Sequence, residues 1–265
     1  MEDNFAKYER LICDRPHPNV LRITITNGKM NQSDTLMQAE LRTIWREIDI
    51  DPTINSVLVT GAGKVFSAGG EFADVQKTID SYDFKVQSFK DARNLVYDMV
   101  DCSKPIVSAM RGVAVGQGLV IGMMADVTVA TKSFRIIDGH TKIGVAAGDH
   151  GVAIWPLLTS LSKAKYYLMT CDELSGEEAE RIGLITFAVE DDELDSRSME
   201  IAVKLAEGPR DAIRMTKHTM NAWIRQASDA FDASLALEML NFSGPDAQEG
   251  MNALLEKRDP VFNKS

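Results

Sequence analysis

The amino-acid sequence predicts an α/β fold: a mainly parallel sheet built from strand–helix–strand units, followed by a helical C-terminal third. Three observations carry this. Short β-branched runs alternate with helical patterns as far as residue 150. Several of these runs are apolar throughout, as expected of strands covered on both faces. Beyond residue 150 the patterns read as helices.

"VLRITIT" (20–26) alternates apolar and polar residues like a half-buried strand, and "NGK" follows as a turn. Ser33 or Asp34 can cap the next helix, in which Leu36, Leu41, Ile44, Trp45 and Ile48 recur at helical spacing. "SVLVTGAG" (56–63) is an apolar strand closed by glycines. Residues 81–101 form an amphipathic helix, "PIVSAMRG" (105–112) a buried strand, 116–118 a glycine-bounded helix start and "DVTVAT" (126–131) a further strand. Such a rhythm implies right-handed crossovers. Ser175 and Glu178 make a capping-box pattern, and Gly183 ends that helix. "ELDSRSMEIAVKLAEG" and "PRDAIRMTKHTMNAWIRQASDAFDASLALEML" complete the helical layer.

With 265 residues, 45% of them hydrophobic, the chain can bury a substantial core. A net charge of −10 argues against broad nucleic-acid or anionic-membrane binding. Cys13, Cys102 and Cys171 are odd in number and widely spaced, which suggests reduced thiols in a cytoplasmic protein. The charged start "MEDNFAKYER" lacks a signal-peptide pattern, and no apolar run approaches a membrane span. No ligand cluster at metal spacing is visible, so neither a metal nor a redox cofactor is expected.

"KVFSAGGEF" (64–72) and "GVAVGQGLVIG" (112–122) each follow a buried strand and place small residues where a backbone could approach a ligand. Two N–H groups aimed at one point would make an oxyanion hole, the arrangement that stabilises a thioester enolate. Both could equally be tight turns without a ligand. Neither a GxGxxG fingerprint nor a phosphate loop is present.

The order "FSAGGEF", "KPIVSAMRGVAVGQGLVIGMMADVTVAT", "LSGEEAERIGLI", "EGMNALLEKRDPVF" resembles the crotonase superfamily, the enoyl-CoA hydratase/isomerase family, over residues 18–262. The resemblance implies a crotonase-like spiral of β-β-α units (1–200) and a C-terminal helical trimerisation region (201–265). It further implies acyl-CoA thioester substrates, with coenzyme A as part of the substrate, a lyase or isomerase of fatty acid metabolism, and a homotrimer or dimer of trimers. By position, the oxyanion donors would be the N–H groups of Ala68 and Gln117. Lys29 to Asn31 and the 68–71 turn, with Gly69 and Gly70, would lie along the bound cofactor arm, and Glu71 would line the pocket, with Asp74 a weaker candidate.

Family hydratases use two glutamates. The first falls at Val120, which cannot titrate, and the second falls close to His140. "DGHTKIGVAAGDHG" (138–151) offers a replacement: His140 as acid/base, with Asp149 fixing its tautomer. The segment also resembles a crotonase subgroup that cleaves β-diketones, in which a His and an Asp nine residues apart handle water. A C–C bond hydrolase is therefore the alternative activity, and a non-catalytic crotonase-like binding protein is a third reading. His150 could orient substrate or make a backbone contact, and Asp149 could simply cap a helix. Glu238, inside the apolar run "LALEML", could form a salt bridge or reach a neighbouring active site. Met123 and Met124 read as core. Lys257 and Arg258 could meet CoA phosphates or form a solvated helix face.

Overall fold

The computed structural model describes residues 4–262. A six-stranded sheet forms its centre. Strands β1 (Leu11–His17) and β2 (Val20–Ile25) pair antiparallel. Helix α1 (Thr35–Ile50) then leads to β3 (Ser56–Gly61), parallel to β2. Helices α2 (Phe72–Asp80) and α3 (Tyr82–Asp101) precede β4 (Ile106–Met110). A short β5 (Val113–Val115) and helix α4 (Gln117–Met123) are followed by β6 (Val127–Thr131) and β7 (Arg135–Ile137). The sheet order is β1-β2-β3-β4-β6-β9, parallel from β2 onward, where β9 is Phe187–Val189. A second sheet of three strands runs β5-β7-β8, with β8 at Leu174–Ser175.

Sequence patterning found the long parallel strands and missed the short ones. β1 carries only two fully apolar positions in "LICDRPH", and β8 and β9 lie in the region expected to hold helices alone. A two- or three-residue strand has too few positions to show a period, so only its pairing partner reveals it.

The helices form as their spacing demands. Asp34 caps α1 by accepting from the Met37 N–H at 2.8 Å, worth about 1 kcal/mol. Met37, Leu41, Ile44, Trp45 and Ile48 are buried, whereas Leu36 faces outward, so Met37 takes the core position assigned to Leu36. Ser81 separates α2 from α3 and caps the latter through the Phe84 N–H. One face of the sheet packs against α1 and α3. The other packs Leu58, Val107 and Val129 against Leu194, Ala202 and Ala206 of α8, defined below.

After β7 come α5 (His150–Leu158), α6 (Leu161–Thr170) and α7 (Gly176–Arg181), the last capped by Ser175 through the Glu178 N–H. The reciprocal half of that capping box is not made, because Glu178 pairs with Arg181. Helix α8 (Leu194–Glu207) follows β9. The long helical run beyond it is three helices: α9 (Arg210–Met220), α10 (Ala222–Gln226) and α11 (Ser228–Asn241). The first break sits at Asn221, whose buried amide donates to the Val100 carbonyl at 2.8 Å. Helix α12 (Pro245–Glu256) starts on a proline, as helices tolerate at their first position. Helices α11 and α12 fold back against the segment between β7 and α5, bringing residues from the middle of the chain together with residues about a hundred positions later. Among the described residues no helix is long and apolar enough to cross a membrane.

Candidate active site

Two glycine-rich turns build one wall. Asn31, fully buried in a left-handed conformation (φ 48°), donates its side-chain amide to the carbonyls of Ala62 and Val65. Ser67 donates to the Asn31 carbonyl and bridges to Ala114 of β5. This holds the first turn hard against the second. A Cβ at Gly118 would lie 2.4 Å from that of Ser67, so only glycine allows the approach. Gly69 has φ 84° beside the Val115 carbonyl, again a glycine conformation.

Ala68, Gly69, Gly70 and Gln117 all line a cavity of about 480 Å³. The two predicted donors differ in state. Gln117 opens α4, so its N–H has no acceptor within the helix. Its side chain accepts from the Ser33 hydroxyl. The Ala68 N–H is already donated to the Met30 carbonyl at 2.9 Å, so the expected pair of free amides is half present.

Facing these turns is His140. Chain direction changes sharply after β7, and a single 3-10 turn (Thr141–Ile143) begins at His140 and ends on Gly144 in the left-handed region. His140 Nδ1 lies 2.9 Å from Asp138 Oδ1. Its Nε2 lies 3.7 Å from both Asp149 Oδ2 and Glu238 Oε1. The tight partner is therefore Asp138, two residues upstream, rather than the expected Asp149, which stands at ion-pair distance. Asp149 is occupied elsewhere: its Oδ1 lies 2.9 Å from His150 Nδ1, and it caps α5 through the Gly151 N–H. Helix capping and proximity to His140 thus coexist in one side chain.

Electrostatics separates these groups. Burial opposes protonation of His140, but Asp138, Asp149 and Glu238 together raise its pKa well above the ordinary histidine value. Burial pushes Asp149 upward, yet His150 and His140 pull it down to about 2. Glu238 is pushed up to about 8, chiefly by burial and further by Asp149 and Asp138, against the pull of His140. The cluster thus favours the protonated ring of His140 and the ionised form of Asp149, while Glu238 exchanges its proton near pH 8. Among the described residues, Glu238 Oε2 and Asp138 Oδ2 are buried without a hydrogen-bond partner.

Folding also brings together side chains that their spacing along the chain leaves apart. One ligand atom each from Asp138, His140 and Asp149 comes within 4.8 Å of the others, so these residues could hold a cation. We read them as an acid–base group because the ring nitrogen and the Asp138 carboxylate are in hydrogen-bond contact, which a shared cation would have to replace.

Other assignments divide. His140, Asp149 and Glu238 line the cavity, as does Val120, whose side chain stands where a hydratase glutamate is absent. His150 does not: it is completely buried behind Asp149, with Trp155 Nε1 donating to its Nε2 at 3.4 Å. It contacts Asp149 rather than the cavity. Lys29 is exposed and Glu71 accepts from the Asn27 amide; neither lines the cavity, whereas Asp74 does. Arg258 lines the cavity but is paired with Glu249 and Glu256, while Lys257 is exposed outside it. Met123 and Met124 are core residues. Glu238 reaches the active site of its own chain. Its sequence signal was an acid in an apolar stripe; that of Asp138 was the "DGH" triplet.

Comparison with known proteins decides the family. The profile described as "Enoyl-CoA hydratase/isomerase" matches residues 16–265. The chain belongs to the enoyl-CoA hydratase/isomerase family. It is 31% identical over 233 residues to a "Short-chain-enoyl-CoA hydratase" of Clostridium acetobutylicum, covering 85% of this chain and 86% of that one. It is 28% identical over 258 residues to a "1,2-epoxyphenylacetyl-CoA isomerase" of Escherichia coli, covering 95% and 97%. A crystal structure of an enoyl-CoA hydratase/isomerase from Mycobacterium paratuberculosis superposes with a TM-score of 0.87 at 27% identity, covering 92% of this chain and 97% of that one. These family relatives share the α/β fold described above, and acyl-CoA is the substrate class of the family.

Proposed function

We propose that this enzyme moves a proton at the carbon beside an acyl-CoA thioester carbonyl, with His140 and Glu238 as its acid/base couple. The observation that carries this is the 3.7 Å approach of a buried Glu238 to His140 inside the cavity that the two glycine turns also line. The Gln117 N–H stabilises the developing enolate oxygen, joined by the Ala68 N–H once it turns from Met30. The imidazolium, held by Asp138 and Asp149, adds positive charge beside the enolate. The α-proton passes from carbon to Glu238 in its ionised form, which exchanges with the acid form near pH 8, and the resulting carboxylic acid returns a proton to the enolate carbon. This revises the role expected from sequence, in which His140 and Asp149 alone formed the pair. The test is exchange of the α-proton of an acyl-CoA in D2O. His140→Ala should slow it by about 10²-fold or more. Exchange at the wild-type rate in that variant removes His140 from the mechanism, whereas no enzyme-dependent exchange in the wild type, with binding intact, favours a binding protein without turnover.

A second reading, hydrolysis of a C–C bond between two carbonyls, draws support from Val120. With valine there, the site has no titratable group at the first of the two positions where family hydratases carry glutamates, while the His140 cluster can still handle water. Cleavage of a β-diketone, with no exchange on any acyl-CoA, would favour it. Assembly as a trimer or dimer of trimers is a proposal supported by exposed apolar side chains on the C-terminal helices, among them Met215, Trp223 and Leu240.

A further inference from the structure

The cavity that His140 lines also carries polar groups that acid–base chemistry at the thioester does not use. Helix α3 presents one stripe to the cavity: Phe84, Ser88, Asp91, Ala92 and Leu95. These are spaced i, i+4, i+7, i+8 and i+11, one face of a helix. A pocket for a plain hydrocarbon chain needs that stripe apolar throughout, yet two of its five positions are polar. Gln38 of α1 lines the same cavity. Among the described residues, neither the Gln38 side-chain amide nor the Ser88 hydroxyl has a hydrogen-bond partner. Such groups lose their hydrogen bonds to water when a substrate fills the cavity, unless the substrate replaces them.

The flanking carboxylates set the charge of that partner. Asp91 is bonded by Gln87 and Arg42, and Asp74 by Lys77 and Thr35. Both carboxylates line the cavity, while Arg42 and Lys77 lie outside its lining with their side chains 37% and 56% exposed. The cavity's cationic side chains, Lys142 and Arg258, belong to the 3-10 turn after His140 and to the end of α12, so at the α3 stripe an added anion would meet the Asp91 carboxylate, and an added cation would compete with partners already in place.

We propose that the acyl group bound here has an apolar body and a distal, uncharged hydrogen-bonding group, a hydroxyl or ketone, seated at Gln38 and Ser88. The inference rests on the thioester reading above. It makes Gln38 and Ser88 specificity-determining residues, separate from the His140 cluster. Phe84, Ala92 and Leu95 enclose the apolar body.

Binding to the intact enzyme tests it by calorimetry. The probes are hexanoyl-CoA, its analogue hydroxylated beside the chain end, and adipoyl-CoA, each also prepared as the N-acetylcysteamine thioester. The expected result is about tenfold tighter binding of the hydroxylated probe than of the plain one, and weaker binding of adipoyl. In Ser88→Ala, and further in Ser88→Ala with Gln38→Leu, the ratio of hydroxylated to plain affinity should fall toward one. Equal affinity in the wild type, or a preference unchanged in the variants, overturns this inference and leaves the thioester reading standing. Absence of binding by every probe in both forms overturns the two together.

Discussion

Glu238 and His140 Nε2 stand 3.7 Å apart in a buried cluster with two further carboxylates, and at that distance each charge governs the other's protonation. Since Glu238 is held up to about 8, α-proton removal by its ionised form should rise with pH through that value. Glu238→Gln keeps the shape, cannot ionise, and should abolish this rise together with most of the turnover; a pH–rate profile checks both. Asp138→Asn should cost more than Asp149→Asn, because Asp138 alone is in hydrogen-bond contact with the ring and fixes its orientation. A ranking in the opposite order, read from kcat/KM, would restore the pairing suggested by the nine-residue spacing. That spacing was legible in the sequence, and His140 with Asp149 do meet. Asp138 was equally visible as a letter, but nothing in a linear pattern says which carboxylate a ring will face once the chain turns at Gly139.

Secondary-structure elements carry these residues to one another. The loop before α5 meets α11 so closely that a Cβ at Gly148 would lie 2.4 Å from Glu238 Cβ and 2.6 Å from the Ser234 carbonyl oxygen. Ser234 donates to the Gly148 carbonyl at 2.8 Å, which locks the same contact. Gly148→Ala should therefore displace α11, cost roughly 1–3 kcal/mol of stability by overpacking and reduce turnover by moving Glu238. Thermal unfolding with kinetics on the same sample measures both, and an unperturbed variant would show that the contact is looser than described. Such glycines were readable only as turn signals; their true role, admitting a distant helix, depends on residues about ninety positions away. The parallel strands and the amphipathic helices were legible because each spans enough residues to display its period. β8 and β9 were not, being defined by their pairing with β7 and β6.

Over the whole molecule, the cluster imposes a pH dependence on stability. Glu238 has an unfolded value near 4.5 and a folded value of about 8, so between them the folded state binds more protons and stability falls as pH rises. His140, raised above 6.5, acts in the same direction: its contribution is full below 6.5 and is lost as pH climbs through its folded value. Asp149, lowered from 3.8 to about 2, contributes above 3.8 and loses that contribution as pH falls toward 2. The site should therefore stabilise the fold most in mildly acidic solution, and Glu238→Gln should flatten the alkaline decline in Tm. The overall fold and family were legible before any coordinates, from four motifs in order along nearly the whole chain. What the motifs could not convey is that helices near the C-terminus complete the active site of the same chain.

The central claim, that His140 and Glu238 move a proton at the carbon beside a thioester carbonyl, is tested most directly by NMR of α-hydrogen exchange from an acyl-CoA in D2O. The account predicts enzyme-dependent exchange in the wild type, slowed by about 10²-fold or more in His140→Ala and Glu238→Gln alike. Exchange that proceeds equally fast in either variant would contradict it.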